Sequence, residues 1–326
     1  MKVLVTGANG FVGRALCQDL LAHGYGVRAL VRTNEGRIHY SNQDIEQIVV
    51  GQLEMHNDWQ SVLTGVDTVI HLAGLAHVLH DKHGNQLAAY RAANVESTKK
   101  IALAATSFGV KRFIYLSSIK VNGDSTSGTP FKEIDTPNPV DYYGLSKLEA
   151  EEALQSIGLG ASMETVIIRS PLIYGPGVKA NFKRLMDWVD KGVPFPFKNL
   201  ANKRSMLYVG NLTSALIACI EHPNAAGKIY LLSDAQDLST SALVQAIADI
   251  MCKPLRLWFF PRKVLSFTAK LLGRSDELSK LVGSLQVDSS KIVNELGWVH
   301  PFTVDEGIRE TVVAYYSAKR KTCSRR

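Results

Sequence analysis

Three glycines near the amino terminus constrain the fold more than any other feature of this chain. Gly7, Gly10 and Gly13 follow the apolar run 2–6, whose β-branched residues are typical of a buried parallel strand. After Gly13, apolar residues recur at helical spacing and predict an amphipathic helix. Glycines in a strand-to-helix turn let the backbone approach a pyrophosphate, which the helix amino terminus then attracts. An ordinary β–α turn is the alternative, but the context predicts a Rossmann-type, doubly wound α/β sheet.

The end of the second predicted strand bears on the choice of dinucleotide. An NAD site needs a carboxylate about twenty residues beyond the glycines to bind the ribose 2′-hydroxyl. That place holds Val31, followed by Arg32. An arginine pairs well with a 2′-phosphate, so the sequence favours NADP(H), with NAD(H) as the alternative. A solvated loop arginine is the competing interpretation of Arg32.

Polar side chains are predicted at the carboxyl edge of the sheet, where open parallel sheets bind ligands. The run 66–74 reads as a third strand that ends in small residues, and 113–116 reads as a fourth strand followed by Ser117 and Ser118. A helix beginning near Asp141 carries Tyr143 and Lys147 four residues apart, hence on one face.

Those side chains suit proton transfer next to a nicotinamide. An unperturbed phenol has a pKa near about 10, and an ammonium one helical turn away should favour the phenolate. The Lys147 ammonium can also hold the nicotinamide ribose. The Ser118 hydroxyl can orient a substrate oxygen while Tyr143 gives or takes a proton. We therefore predict Ser118, Tyr143 and Lys147 as the catalytic group, with a bland surface Tyr/Lys pair as the alternative.

Several ordered motifs together resemble the extended short-chain dehydrogenase/reductase family, in its nucleotide-sugar epimerase, dehydratase and reductase branch. The matching strings are 6–13, 71–74, 94–98, 117–123, 169–177, 202–206 and 288–298. The chain departs from the family pattern at Gln52, Ser97 and Asn122, which replace an acidic residue, a glycine and a tyrosine.

The resemblance implies two sets of binding residues and no metal ligand. The substrate set is Ser118, Asn181 and Arg204, with Arg204 gripping a nucleotide diphosphate. The cofactor set is Gly7, Gly10, Phe11, Val12, Gly13, Arg32, Leu53, Leu72, Ala73, Gly74, Asn94, Tyr143, Lys147 and Ser170.

Within that branch the strings 117–123, 177–182 and 283–288 look like bacterial enzymes of O-antigen and capsule precursor synthesis. Those enzymes reduce the 4-keto group of UDP-2-acetamido-2,6-dideoxy-hexos-4-ulose. The resemblance therefore implies NAD(P)H-dependent reduction of a UDP-4-keto-6-deoxy-N-acetylhexosamine. An NAD-dependent UDP-sugar 4-epimerase, acting on UDP-glucose or UDP-N-acetylglucosamine, is the alternative. Val31 and Arg32 favour the reductase, because an epimerase recycles one tightly held NAD.

Two further classes fit the sequence less well. A redox-sensing regulator that binds NADP without turnover would be expected to lose the Tyr143/Lys147 pair, and both residues are present. A dehydratase would need acidic residues after Ser118, where Ile119 and Lys120 stand.

Composition limits the setting in which the protein works. Hydrophobic residues make up 46% of the chain, yet no apolar run approaches 18 residues, so we expect a soluble protein without an integral membrane segment. The chain begins directly with the first strand, which argues against a signal peptide. Four cysteines without C-x-x-C spacing suit the cytoplasm. The net charge of +7 gathers partly in the tail 319–326, which we expect to be frayed. No nucleic-acid motif is present, so the expected partners are a UDP-sugar and a second copy in a homodimer.

Two domains are expected. Residues 1–170 would bind the dinucleotide and 171–326 the substrate, with about 205–233 returning to the sheet as a helix (211–220) and a strand (229–232). Repeated prolines predict irregular chain from Ser170 onward. The apolar stretch 258–274 is expected to pack in the smaller domain, with a membrane or partner face as the alternative.

Overall fold

A seven-stranded parallel sheet forms the centre of the molecule, which is a computed structural model describing residues 1–36, 45–76, 85–196, 200–255, 258 and 281–323. Its strand order is β3-β2-β1-β4-β5-β6-β9. The strands are β1 (Lys2–Thr6), β2 (Gly26–Val31), β3 (Glu46–Val49), β4 (Thr68–His71), β5 (Arg112–Ser118), β6 (Glu164–Ser170) and β9 (Ile229–Leu231). The order reverses between β1 and β4, where doubly wound sheets bind their ligands. The predicted Rossmann-type fold is confirmed.

Helices cover both faces of this sheet. The described helices are α1 (Phe11–Ala22), α2 (Trp59–Leu63), α3 (Gln86–Tyr90), α4 (Ser97–Ser107), α5 (Tyr142–Leu159), α6 (Ala180–Asp190), α7 (Val209–Glu221), α8 (Thr240–Ile250), α9 (Ser290–Leu296) and α10 (Val304–Cys323). A π-helical turn, Arg91–Glu96, joins α3 to α4. Among the helices that the structure describes, none is both long and apolar enough to cross a membrane.

The sheet separates two hydrophobic cores. Successive residues of a strand point to opposite faces, so Val3 and Val5 enter the core under α1 and α7, while Leu4 enters the core under α4 and α5. Burial on both faces explains why β1 reads as a continuous apolar run.

A third core lies in the second half of the chain. Strands β7 (Leu172–Tyr174) and β8 (Met206–Tyr208) form a separate parallel pair, against which α6, α8 and α10 pack. The prediction of irregular chain after Ser170 is therefore wrong over much of this segment. Pro171 and Pro176 stand outside β7 and do not interrupt its hydrogen bonds.

Two other expectations also need correction. Strand β3 precedes the run 66–74, so the strand predicted there is the fourth, and it spans only Thr68–His71. The tail is not frayed from residue 319, because α10 continues to Cys323 and Lys319 forms an ion pair with Asp190. Of the apolar stretch 258–274, all but Trp258 lies outside the described residues.

Candidate active site

The segment that joins β1 to α1 has no space for a side chain at Gly7 or Gly13. Gly7 has φ +64°, and a Cβ added there would lie 2.9 Å from the Ala73 nitrogen. A Cβ on Gly13 would lie 2.3 Å from the Gly7 carbonyl oxygen. Glycine at position 7 lets the turn approach the segment that follows β4, and glycine at position 13 lets the first turn of α1 pack against the β1–α1 turn.

The amino terminus of α1 opens at this turn and fits a bound dinucleotide. Gly10 is its N-cap and provides no side chain to cap the first turn, which contains Phe11 and Val12. The first N–H groups of a helix have no partner within the helix, so they attract a diphosphate. Backbone donors beside a surface without side chains are the arrangement that a dinucleotide requires.

Thr6 fixes the chain after β4. Its Oγ1 accepts hydrogen bonds from the Leu72 nitrogen at 3.1 Å and the Ala73 nitrogen at 3.0 Å. The hydroxyl therefore donates to Nδ1 of His71, at 2.7 Å, and the imidazole proton resides on Nε2. His71 is fully buried, and burial lowers its pKa to about 3. Sequence reasoning did not assign these roles to Thr6 and His71.

Asn94 fastens the same segment to α5. Its Oδ1 accepts from the Leu75 nitrogen at 2.7 Å, and its Nδ2 donates to Ser146 Oγ at 2.9 Å. A Cβ on Gly74 would lie 3.0 Å from Asn94 Oδ1 and 3.7 Å from Lys147 Nζ. The predicted cofactor residues Gly74 and Asn94 are thus brought beside the predicted catalytic lysine, while Leu72 and Ala73 lie against Thr6 and Gly7.

Ser118 and Tyr143 meet at the carboxyl edge of β5. Helix α5 begins after Asp141, whose carboxylate accepts from the Gly144 nitrogen at 2.7 Å. This cap places Tyr143 in the first turn of α5, near enough to Ser118 for that side chain to lower the pKa of the Tyr143 hydroxyl. Burial of the hydroxyl nevertheless raises the pKa of Tyr143 to about 12, because its effect exceeds that of Ser118.

Lys147 faces β5 from the next turn of α5. Its Nζ donates to the Tyr115 hydroxyl at 3.0 Å and to the Leu116 carbonyl oxygen at 2.7 Å. Burial lowers the pKa of Lys147 to about 7, and the charge of Glu151 partly offsets this.

The expectation that Lys147 lowers the pKa of Tyr143 is wrong in this structure. The ammonium contacts Tyr115 and Leu116, and burial decides the direction of the Tyr143 shift.

Tyr90 is a neighbour that sequence reasoning missed. Its ring centroid lies 6.1 Å from that of Tyr143, with the planes tilted by 55°. Tyr90 ends α3 just before the π-helical turn, and the next residue, Arg91, binds Glu149 of α5 through Nε at 2.8 Å. A tyrosine at the end of a five-residue helix carries no signal in a single sequence.

Three further predicted cofactor residues differ in position and in burial. Ser170 ends β6, pairs in register with Ser118, and donates to the Ser117 carbonyl oxygen at 3.5 Å. Leu53 is buried in the core beneath α4. Arg32 is exposed directly after β2, where its carbonyl oxygen accepts from the Gly51 nitrogen.

The predicted substrate residues outside the centre differ in burial. Asn181 is exposed in the first turn of α6. Arg204 is partly buried, its backbone pairs with Leu238 and Leu285, and its Nη1 donates to the Gly283 carbonyl oxygen at 3.2 Å. Burial lowers the pKa of Arg204, and the charge of Asp124 opposes this.

Asp124 in turn pairs with Lys120, whose backbone nitrogen donates to Ser118 Oγ at 3.3 Å. Arg204 is thereby connected to the loop that follows Ser118.

Comparison with known proteins agrees with this geometry. Residues 3–233 match the model of the NAD dependent epimerase/dehydratase family. The chain belongs to that family. It is 42% identical to UDP-glucose 4-epimerase of Vibrio cholerae, over 98% of this chain and 97% of that protein. It is 31% identical to 2-alkyl-3-oxoalkanoate reductase of Stenotrophomonas maltophilia, over 78% of this chain and 77% of that protein. UDP-glucuronic acid 4-epimerase of Bacillus cereus, solved with NAD, has the same fold: TM-score 0.80, 21% identity, 98% and 99% of the chains covered.

These family relatives change the ranking of the two expected reactions. The relative at 42% identity is an epimerase, which matches the alternative better than the 4-ketoreductase. Nothing in these comparisons supports the expected preference for NADP(H).

Proposed function

We propose that this family member is an NAD-dependent UDP-sugar 4-epimerase that works through a 4-keto sugar. The observation that carries the proposal is the position of Tyr143 and Lys147 on α5 beside β5, which ends in Ser118, with Lys147 Nζ 3.7 Å from a Cβ added to Gly74. The 42% identity to UDP-glucose 4-epimerase supports the substrate class.

Each residue has a role in that reaction. When bound, oxidised NAD would supply a hydride acceptor and a positive ring charge. Gly7, Gly10 and Gly13 would leave room for the diphosphate at the start of α1, and Lys147 would hold the ribose. Ser118 orients the oxygen on sugar C4. Tyr143 takes the hydroxyl proton as the 4-keto group forms, and returns it when hydride is delivered to the opposite face.

A 4-ketoreductase in surface polysaccharide synthesis is the second candidate. It is favoured by Arg32, which stands exposed where an NAD site would have a carboxylate. The high pKa of Tyr143, about 12, also keeps the phenol protonated at neutral pH, which is the state that donates to a keto oxygen.

Product analysis separates the two reactions. We expect UDP-glucose or UDP-N-acetylglucosamine to convert to its 4-epimer without net consumption of NAD, as followed by NMR. Oxidation of NADPH by a UDP-4-keto-6-deoxy-N-acetylhexosamine, together with no epimer from either first substrate, would establish the reductase instead.

Cofactor binding gives an independent test. An epimerase should bind NAD at least as tightly as NADP in calorimetry. If Arg32 holds a 2′-phosphate, NADPH should bind more tightly than NADH by about 1.5–3 kcal/mol, and Arg32→Asp should reverse the order.

We further propose the division into a dinucleotide-binding part (1–170) and a substrate-binding part (171–326), with 205–233 returning to the sheet. Homodimer formation is likewise a proposal, which sedimentation of the purified chain tests.

A further inference from the structure

A buried carboxylate lies one helical turn beyond Lys147. Glu151 of α5 is 1% exposed, and its Oε1 accepts hydrogen bonds from the Ser117 hydroxyl and from Arg169 Nε at 3.1 Å. Its Oε2 accepts from Arg169 Nη2 at 2.7 Å. Ser117 immediately precedes Ser118, so the carboxylate touches the strand end that presents the predicted catalytic serine.

Arg169 extends these contacts to the loop after β5. Its Nη1 donates to Asn122 Oδ1 at 3.0 Å, and Asn122 Nδ2 donates to the Lys132 carbonyl oxygen at 3.2 Å. We call Ser117, Asn122, Glu151 and Arg169 the buried network. It joins β5, β6 and α5 directly behind Ser118 and Lys147.

We propose that Glu151 is a positioning residue for C4 chemistry: its carboxylate keeps the buried Lys147 ammonium charged and, through Ser117, holds the strand end that carries Ser118. This inference rests on the proposed function, because it assigns Glu151 to the same site.

The groups facing Lys147 make the electrostatic argument. They are His71 from β4, Tyr115 from β5, and Tyr143 and Glu151 from α5. Burial keeps the first three neutral at pH 7, since it lowers the pKa of His71 to about 3 and raises those of both tyrosines. Among these described neighbours, Glu151 is the one that raises the pKa of Lys147, although its carboxylate is also paired with the Arg169 guanidinium.

The balance is sensitive because Lys147 has a pKa of about 7. Near neutral pH the charge of Lys147 is therefore sensitive to nearby charges, and an opposite charge typically moves a pKa by about 1–3 units.

Glu151→Gln is the test, because glutamine keeps the shape and can still accept from Ser117. The 13Cε resonance of Lys147 in lysine-labelled protein, identified by its loss in Lys147→Arg, is titrated without substrate. We expect the midpoint to fall by at least about one pH unit. A midpoint within about 0.3 unit of the wild-type value would overturn the proposal.

Turnover gives a second readout. Lys147 supports catalysis while charged, so activity should fall as pH rises through its pKa. We call this fall the alkaline limb of the pH–activity profile. In Glu151→Gln the limb should shift to lower pH by the same interval as the NMR midpoint, and kcat should recover when the pH is lowered. A variant that is merely less stable would lose activity at every pH without moving the limb.

A control comes from the opposite edge of the same strand pair. Arg112 of β5 is ion-paired with Glu164 of β6, so Glu164→Gln also disrupts an arginine–carboxylate pair between β5 and β6. This control should leave the Lys147 midpoint unchanged. Glu151→Asp retains the negative charge, so its Lys147 midpoint should lie near the wild-type value rather than at the lowered value of Glu151→Gln.

A double variant keeps the test valid if the unpaired Arg169 in Glu151→Gln impairs folding. Glu151→Gln leaves Arg169 buried without its carboxylate, whereas Glu151→Gln/Arg169→Gln removes both charges. The double variant should also show a lowered midpoint, and an unchanged midpoint in it would equally refute the proposal.

The two proposals fail in different ways. If no UDP-sugar is epimerised or reduced, the proposed function fails, while the Lys147 titration still decides the role of Glu151. If turnover is found but the Glu151→Gln midpoint and limb do not move, only the inference about Glu151 fails.

Discussion

Burial sets the acid–base character of the polar side chains at the carboxyl edge. The pKa values of Tyr143, Lys147 and His71, about 12, about 7 and about 3, are all shifted toward the neutral form. A low-dielectric surrounding disfavours charge on any group, so the pKa of the phenol rises while the pKa values of the amine and the imidazole fall. The chemistry of Tyr143 therefore depends on the charges that substrate and cofactor bring.

Replacing Tyr143 by phenylalanine should remove the proton donor and acceptor but keep the ring. We expect kcat to fall by at least about a hundredfold, the usual contribution of general acid–base catalysis, with dinucleotide affinity nearly unchanged. Tyr142→Phe is the control, because Tyr142 is 52% exposed and precedes Tyr143 in the same helix turn. Near-normal turnover in Tyr143→Phe would exclude Tyr143 as the proton carrier.

His71 should make stability depend on pH. Its folded pKa is about 3 and its unfolded value is about 6.5, so between these limits the unfolded chain binds the extra proton. This contribution to the free energy of unfolding is complete above pH 6.5 and is lost as pH falls toward 3, with a slope of about 1.4 kcal/mol per pH unit.

Urea unfolding from pH 4.5 to 7 measures that slope. His71→Asn should reduce it by about one proton, whereas replacing the exposed His23 by asparagine should leave it unchanged. Equal slopes for His71→Asn and wild type would show that the buried imidazole protonates in the folded protein.

At the level of elements, the hydrophobic pattern predicted the range of a helix or strand best where the segment has a clear apolar face or run of its own. Helix α7, the start of α5 and strand β9 lie close to the predicted 211–220, Asp141 and 229–232. Strand β3 was not recognised because an edge strand needs few apolar residues, and Glu46–Val49 is only partly buried. The β7/β8 pair was missed because each strand has three residues and they pair only across the sequence.

The β1–α1 turn yields a prediction about an element. Gly13→Ala would place a methyl group against the Gly7 carbonyl oxygen and the Ala8 Cα, so we expect about 1–3 kcal/mol of destabilisation and weaker dinucleotide binding. Gly26→Ala is the control, since its Cβ would meet only ordinary contacts, the nearest at 3.7 Å. Denaturation and calorimetry measure both effects, and equal behaviour of the two variants would contradict this account of the turn.

At the scale of the whole molecule, segments that are distant in the sequence meet around Arg204. The Thr126 nitrogen donates to the Ser284 carbonyl oxygen, and the Ser205 nitrogen donates to the Leu285 carbonyl oxygen, so the loop after Ser118 is joined to the second half of the chain. Arg204 lies at this junction, where its backbone pairs with Leu238 and Leu285.

We therefore expect Arg204 to bind the substrate at its diphosphate, which is remote from the reacting carbon. We expect Arg204→Ala to raise KM with a smaller effect on kcat, because such binding is largely uniform between ground and transition states. UDP should compete with substrate in the wild type and much less in the variant. Lys203→Ala is the matched control, since Lys203 is exposed and adjacent. If millimolar UDP neither inhibits nor raises Tm, the nucleotide-sugar substrate itself is refuted.

Sequence alone determined the features that depend on local chemistry: the glycine turn, the alternation of strand and helix, and the placement of Tyr143 and Lys147 on one helix face. Only the tertiary structure decided how these residues are charged and connected. Glu151 and Arg169 lie 18 residues apart and Thr6 and His71 lie 65 apart, and no spacing rule relates such pairs. The shift of each pKa depends on burial, which the sheet and both helix layers create together.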